Sequence, residues 1–203
     1  MPGLMQMLQK LKKNDDDCKI LVLGLDNAGK TTILRQLGKE DLSQVRPTQG
    51  FNMQLLQHGP YTLNCARPAS TRPSRAGDER TRARSAGWDI GGQKSIRAYW
   101  RNYYDKTEGL VYVIDSADTQ RLEETSIELG QLLADPKLEN TPLLVFANKQ
   151  DLINAAEVEE IVSVLDLKQI RVRPWHIQPC NAREGDGLAE GMEWLVTEVN
   201  AME

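Results

Sequence analysis

The stretch Lys19-Ile-Leu-Val-Leu-Gly24-Leu-Asp-Asn-Ala-Gly29-Lys30-Thr31-Thr32 constrains the fold more than any other part of the chain. It reads as a short apolar, β-branched strand running into a Gly-rich turn and then a helix. The turn matches the phosphate-cradling pattern G-x-x-x-x-G-K-[ST] without a gap. Gly24 and Gly29 let the backbone curl around an anion with its N–H groups inward, where side chains would obstruct it. Lys30 supplies a point charge for β- and γ-phosphates, and the Thr31 hydroxyl suits a hard Mg²⁺ ion. A helix starting near Lys30 adds its positive N-terminal dipole.

At 203 residues and 40% hydrophobic content, the chain is long enough for one well-packed domain and short for two. A net charge of -4 gives no global reason to expect nucleic acid as a partner. Cys18, Cys65 and Cys180 are widely spaced, which suits reduced thiols of an intracellular protein rather than a disulfide framework or a zinc site. Apolar runs such as 141–147 are too short to span a bilayer, and no signal peptide is expected before them. A cytoplasmic protein, at most peripheral to a membrane, is the expectation.

Residues 1–17 read as an N-terminal segment and 18–203 as one domain. Within the first, Leu4, Met7, Leu8 and Leu11 share one helical face, with Lys10, Lys12 and Lys13 elsewhere. That is a small basic amphipathic helix, suited to docking on the domain or to weak, reversible membrane contact. A myristoylation signal needs Gly directly after the initiator Met, and Pro2 intervenes. After the phosphate loop and its helix, alternating stretches at 52–57 and 61–65 flank the turn His58-Gly-Pro60 and predict a β-hairpin. Three strand-then-helix units follow: strand 109–115 with a helix near 119–134, strand 142–147 with a helix through Leu165, and strand 175–180 with a last helix. Their inward residues include Leu129, Leu132, Ile161, Leu188, Met192, Leu195 and Val199. Such alternation implies an α/β fold, a mostly parallel sheet with helices on both faces and ligands at the carboxyl ends of the strands. His58, at a turn, and His176, beside a late strand, read as structural or exposed.

Residues 66–87 break this pattern. Six arginines against Asp78 and Glu79 give the segment +4, leaving -8 for the rest. With no aromatic residue and no aliphatic larger than Ala, it cannot repay its own ordering entropy, so a disordered loop is expected.

Beyond it, Asp89 follows a strand-like segment and suits Mg²⁺, directly or through water. Gly92 offers a backbone N–H to a γ-phosphate, and Gln93 is a candidate to position water. Asn148-Lys149-Gln150-Asp151 ends the next-to-last strand. By itself N-K-x-D is often a helix cap; after a phosphate loop it reads as guanine recognition. Asp151 can accept from the N1–H and N2–H₂ edge of guanine, a donor pair adenine lacks, and Lys149 can lay its methylenes along the ring. A nucleotide kinase would share the phosphate loop, and Asp151 argues against it.

Together these motifs resemble the P-loop small GTPases of the ADP-ribosylation-factor-like family. The matches are Gly24-Leu-Asp-Asn-Ala-Gly-Lys-Thr-Thr32, Pro47-Thr-Gln-Gly-Phe51, Trp88-Asp-Ile-Gly-Gly-Gln93 and Asn148-Lys-Gln-Asp151. The wording of 102–103, 112–117 and 177–180 looks closest to the type-3 branch. The resemblance implies a six-stranded sheet and a monomer that binds GTP and GDP with Mg²⁺. It adds Asp26, Asn27, Ala28 and Thr32 to the nucleotide contacts and gives Ala182 a backbone N–H toward guanine. Thr48 becomes a γ-phosphate and Mg²⁺ sensor, Gln93 the catalytic residue orienting water, and Phe51, Trp88 and Tyr103 an effector-binding triad. It further implies slow hydrolysis aided by an activating protein, and an exchange factor. Effectors would be carriers of lipidated cargo, and the chain would work near Golgi, microtubule or ciliary structures. The N-terminal helix would be displaced by GTP as the hairpin slides in register.

Four departures stand out. Pro2 removes lipidation, Asn181 replaces a usual Ser, and Ala98 replaces a usual Pro. The Arg-rich segment interrupts what the family builds as one strand. A loop of that length costs about 2–3 kcal/mol of closure entropy, but it is expected to cut an interior ladder and to block the sliding hairpin. It reads as an unspliced segment, which peptides from 67–84 in the native protein would refute. Its presence also suggests an alternative function, a nucleotide-binding but switch-defective module that does not hydrolyse.

Overall fold

The computed structural model describes residues 19–38, 42, 51–58, 61–66, 89–90, 97 and 99–202, with 51–58, 61–66 and 89–90 as backbone alone. The expected N-terminal helix, Thr48, Trp88, Gly92, Gln93, Ala98 and the span 67–88 lie outside the described residues, as do the side chains of Phe51 and Asp89.

Strands β1 (Lys19–Leu23), β5 (Gly109–Asp115), β6 (Leu143–Asn148) and β7 (Trp175–Pro179) run parallel side by side. On the other side of β1 lie β2 (Phe51–His58), β3 (Tyr61–Ala66) and β4 (Asp89–Ile90). Helices α1 (Lys30–Gly38), α2 (Leu122–Leu133), α3 (Val158–Val164) and α4 (Leu188–Ala201) alternate with the strands, as expected.

The central strands are apolar on both faces because both faces are covered. Ile20, Val22, Val111, Val113, Leu144 and Phe146 point to a layer with α1 and α4, built from Ile33, Leu34, Leu37, Met192, Leu195 and Val199. Their neighbours in sequence, Leu21, Leu23, Leu110, Tyr112, Ile114, Leu143 and Val145, point to a layer with α2 and α3, built from Leu129, Leu132, Ile161 and Leu165. Period-2 strands thus meet period-3.6 helices on each side. Glu123 and Glu124 sit in the first turn of α2, and Glu159 and Glu160 in that of α3, where negative charge suits the helix dipole. Beyond the carboxyl end of α2, the buried Arg173 donates to the carbonyls of Leu133 (2.9 Å) and Leu138.

Among the described residues the sheet has seven strands where six were expected, and the extra one is a division rather than an addition. Along β2 the antiparallel partners are Leu55 with Asn64, Gln54 with Cys65 and Met53 with Ala66, then Asn52 with Asp89 and Phe51 with Ile90. Ala66 and Asp89 therefore occupy consecutive positions of one ladder although 67–88 separate them in sequence. The expected cut in this ladder is absent on the β2 side. On the β1 side the partners pass from Leu21 with Asn64 directly to Val22 with Asp89, so Cys65 and Ala66 are skipped there.

Removing 66–87 would set Trp88 after Cys65, opposite Met53, and leave Asp89 opposite Asn52. The shortened chain is expected to be more stable by about 2–3 kcal/mol, the closure entropy of the loop, which for a chain of this size raises Tm by several degrees. Thermal unfolding of both chains checks this; a lower Tm for the shortened chain would show that the segment contributes to the fold.

Candidate functional site

The polar loops leave the carboxyl ends of β1, β5, β6 and β7 at one end of the sheet. The turn after β1 is held by two glycines with positive φ, Gly24 at 141° and Gly29 at 98°. A Cβ on Gly24 would lie 2.1 Å from the Val113 carbonyl oxygen, and one on Gly29 would lie 2.2 Å from Asn148 Nδ2. Both positions therefore exclude a side chain, by conformation and by contact. Asn27, at φ 62°, adds a third left-handed turn residue. The Ile33 N–H donates to the Gly29 carbonyl (2.9 Å) at the start of α1.

Lys30 is 6% exposed. Its ammonium donates to the carbonyls of Gly24 (2.8 Å) and Leu25 (2.7 Å), which points it into the concave side of the turn. Thr31 is buried beside it at the first turn of α1, and Thr32 is half-buried. The arrangement fits a magnesium nucleotide: glycines clear the backbone, a lysine sits within the turn, and a hydroxyl follows at a helix N-terminus. Of the other two expected metal ligands, Thr48 lies outside the described residues and Asp89 is placed by backbone pairing with Val22, two residues before Gly24.

Asn148 joins the loops. It is 2% exposed; its Nδ2 donates to the Ala28 carbonyl (2.8 Å), and its Oδ1 accepts from the Ala182 N–H (3.0 Å) and the Cys180 thiol (3.6 Å). Its backbone carbonyl accepts from the Ser116 N–H (3.0 Å). Asn148 was expected to contact the base, and Ala182 to offer it an N–H; in this structure both groups are bound to each other. Burial pushes the Cys180 thiol up to about 12, so it remains a protonated donor.

Lys149, at φ 67°, turns the chain out of β6, and its ammonium pairs with Asp115 Oδ2. Gln150 N–H donates to the Cys180 carbonyl (3.2 Å), joining this turn to the loop after β7. Asp151 is exposed, and its carboxylate takes no hydrogen bond from the described residues. In the loop after β7, Asn181 Oδ1 accepts from the N–H groups of Arg183 (3.0 Å) and Glu184 (3.4 Å). Asn at that position folds the loop as an Asx turn around Ala182.

Tyr103 is half-buried, and its carbonyl accepts from Lys19 Nζ (2.6 Å) and Thr107 Oγ1 (3.1 Å), which fastens it to the start of β1. Phe51 is placed opposite Ile90. Two residues around the phosphate loop escaped sequence reasoning. Arg121 Nη1 donates to Asp26 Oδ1 (3.2 Å), and Arg97 Nη2 lies 4.0 Å from the same oxygen. Neither lies near Asp26 in sequence, so no local pattern announces the contact.

The sequence pattern of the ADP-ribosylation factor family matches residues 4–66 and 81–199, and it stops at the end of β3. ADP-ribosylation factor-like protein 3 of Chlamydomonas reinhardtii is 51% identical over 197 residues, 97% of this chain and 99% of that protein. ADP-ribosylation factor-like protein 2 of Dictyostelium discoideum is 44% identical over 97% of this chain and 95% of its own length. Among solved structures, the Arl6 BBS3 small GTPase of Trypanosoma brucei with the nucleotide analogue GppNp superposes with a TM-score of 0.74 at 27% identity, covering 92% of this chain and 99% of that one.

Replacing Asn148 with Ala leaves the Ala28 carbonyl and the Ala182 N–H without their buried partner. At about 1–3 kcal/mol for each of the two unsatisfied groups, divided between loop stability and binding, guanine nucleotide affinity is expected to fall by at least about 10-fold. Titration of the variant with fluorescent GDP checks this, and unchanged affinity would remove Asn148 from its joining role.

Proposed function

The chain belongs to the ADP-ribosylation factor family, and on that premise we propose that it is a slow switch that governs carriers of lipidated cargo. It is a GTPase whose ligands are GTP and GDP with Mg²⁺. Its hydrolysis rate, effectors and place in the cell are our reading.

One observation carries the proposal: a single buried side chain, Asn148, ties the phosphate loop to the loop after β7, so phosphate and base recognition form one unit. Bound Mg²⁺ would neutralise charge on the β- and γ-phosphates, held by Thr31, Asp89 and Thr48. Lys30 would exchange its carbonyl partners for phosphate oxygens. Asp151 would accept the guanine donor pair, and Lys149, pinned by Asp115, would lay its stem along the ring. Gln93 would orient the attacking water, with the Gly92 N–H on the γ-phosphate.

Two arginines beside the phosphate loop support the reading of slow turnover. Arg97 is bonded to Glu124 (2.9 Å) and Glu128 (2.7 Å), and Arg121 to Asp118 (2.6 Å) and Asp26. These guanidiniums beside the phosphate loop are already engaged with carboxylates, so an activating protein would have to supply the positive charge. Phe51, Trp88 and Tyr103 would meet the effector, and the relation to an Arf-like protein 3 supports a carrier of lipidated cargo in that role. The N-terminal helix would give weak membrane contact from the cytoplasm, in ciliary, Golgi or microtubule-associated traffic.

The Arg-rich segment 66–87 favours one rival: a chain that binds nucleotide but does not switch or hydrolyse. Single-turnover hydrolysis with and without an activating protein separates the two. We expect slow GTP hydrolysis accelerated by about 10³- to 10⁵-fold, lost in Gln93→Leu. Tight GTP binding without acceleration would establish the rival, and equal binding of ATP would remove the guanine assignment for Asp151.

A further inference from the structure

Asp26 lies inside the phosphate loop, yet its carboxylate is turned toward cations from elsewhere in the chain. Arg121 reaches it from the turn before α2. Its Nη1 donates to Asp26 Oδ1 (3.2 Å), and its Nη2 donates to the backbone carbonyl of the same residue (3.3 Å). One guanidinium therefore fixes both the side chain and the main chain of a single loop residue. The fork is itself held, because Arg121 Nε donates to Asp118 Oδ2 (2.6 Å) from one turn earlier. Partial burial pulls the Arg121 pKa down, but the hydrogen bond it donates to Asp118 and the charge of Asp26 hold it above its ordinary value. Arg97 stands on the other side, 4.0 Å from the same Oδ1, its guanidinium anchored by Glu124 and Glu128.

A carboxylate in a loop whose N–H groups must face phosphates is a liability, since two like charges in one small site repel. The loop can tolerate it only if the carboxylate is directed away and neutralised. Arg121 does both, because a planar fork that grips side chain and carbonyl together restricts rotation about Asp26 in a way a single point charge cannot. The backbone between Gly24 and Gly29 has three positive-φ residues and few side chains to stiffen it, so this external grip matters for its shape.

We infer that Arg121 is a positioning residue for nucleotide retention: it clamps Asp26 so that the phosphate loop keeps its anion-binding shape, with Asp118 orienting the clamp. The inference rests on the guanine nucleotide reading of this site. Asp26 is partly exposed, with 45% of its side chain accessible, so the clamp modulates retention rather than creating the site.

The test is a double-mutant cycle on the release rate of fluorescent GDP in Mg²⁺, using the full chain. Arg121→Gln is expected to speed release about three- to tenfold, and Asp118→Asn to move it in the same direction by less. In the Asp26→Asn background, Arg121→Gln should add less than about twofold, because its anionic partner is gone. Arg121→Lys, which keeps the charge but not the fork, should fall between wild type and Arg121→Gln, and it serves if the Gln variant does not fold. Equal acceleration in both backgrounds would overturn the clamp and leave Arg121 a support for the turn before α2. So would no acceleration at all. Wild-type protein that fails to retain GDP in this assay would instead remove the nucleotide premise, and the clamp with it.

Discussion

The site depends on one buried amide. A parallel sheet brings the carboxyl ends of its strands together, but it does not fix the loops that leave them, and those loops carry backbone groups that need partners. Asn148 supplies a donor and an acceptor from a single rigid position at the end of β6, one directed at the turn after β1 and the other at the turn after β7. The contact also explains a residue in the phosphate loop. Gly29 has no room for a Cβ because Asn148 Nδ2 would stand 2.2 Å from it. The glycine that frees the backbone to meet a phosphate is the same glycine that admits the asparagine of the base motif. Two motifs distant in sequence are thus a single packed object, and neither can change without the other.

Much of the fold was legible because it follows from periodicity. The runs at 109–115 and 142–147 are apolar without alternation, which only a sheet covered on both faces explains, and the spacing of Leu188, Met192, Leu195 and Val199 gives the helix that covers one of them. The phosphate loop was legible because its glycines and lysine have a local chemical reason. What escaped is what depends on juxtaposition. Asn148 read as part of a base contact because its sequence neighbours, Lys149 and Asp151, point to one. Its actual partners, Ala28 and Ala182, become visible only when three strand ends meet. The departure at Asn181 read only as a replacement of a usual Ser; its side chain closes an Asx turn around Ala182. Arg97 and Arg121 carried no signal, since an arginine in a charged helix surface looks the same whether or not a carboxylate from a distant loop faces it.

The Arg-rich segment raises a different question, which entropy alone does not answer. Strand geometry has a period of two, so an interruption that shifted pairing by one residue would turn Asp89 to the opposite face of the sheet. Along β2 no such shift occurs. Ala66 takes the position that Trp88 would take in an uninterrupted strand, and Asp89 stays opposite Asn52. The register of Asp89 along β2 is therefore the same with the segment as without it.

The interruption is felt instead on the side of β1. There the ladder moves from Asn64 to Asp89 in one step of β1, and the backbones of Cys65 and Ala66 pair with β2 alone. The gap in this ladder falls between Leu21 and Val22, immediately before the turn at Gly24. A family in which this strand must slide along β1 would feel it at that contact first. The phosphate-loop glycines pack instead toward β5 and β6, Gly24 against the Val113 carbonyl and Gly29 against the Asn148 amide.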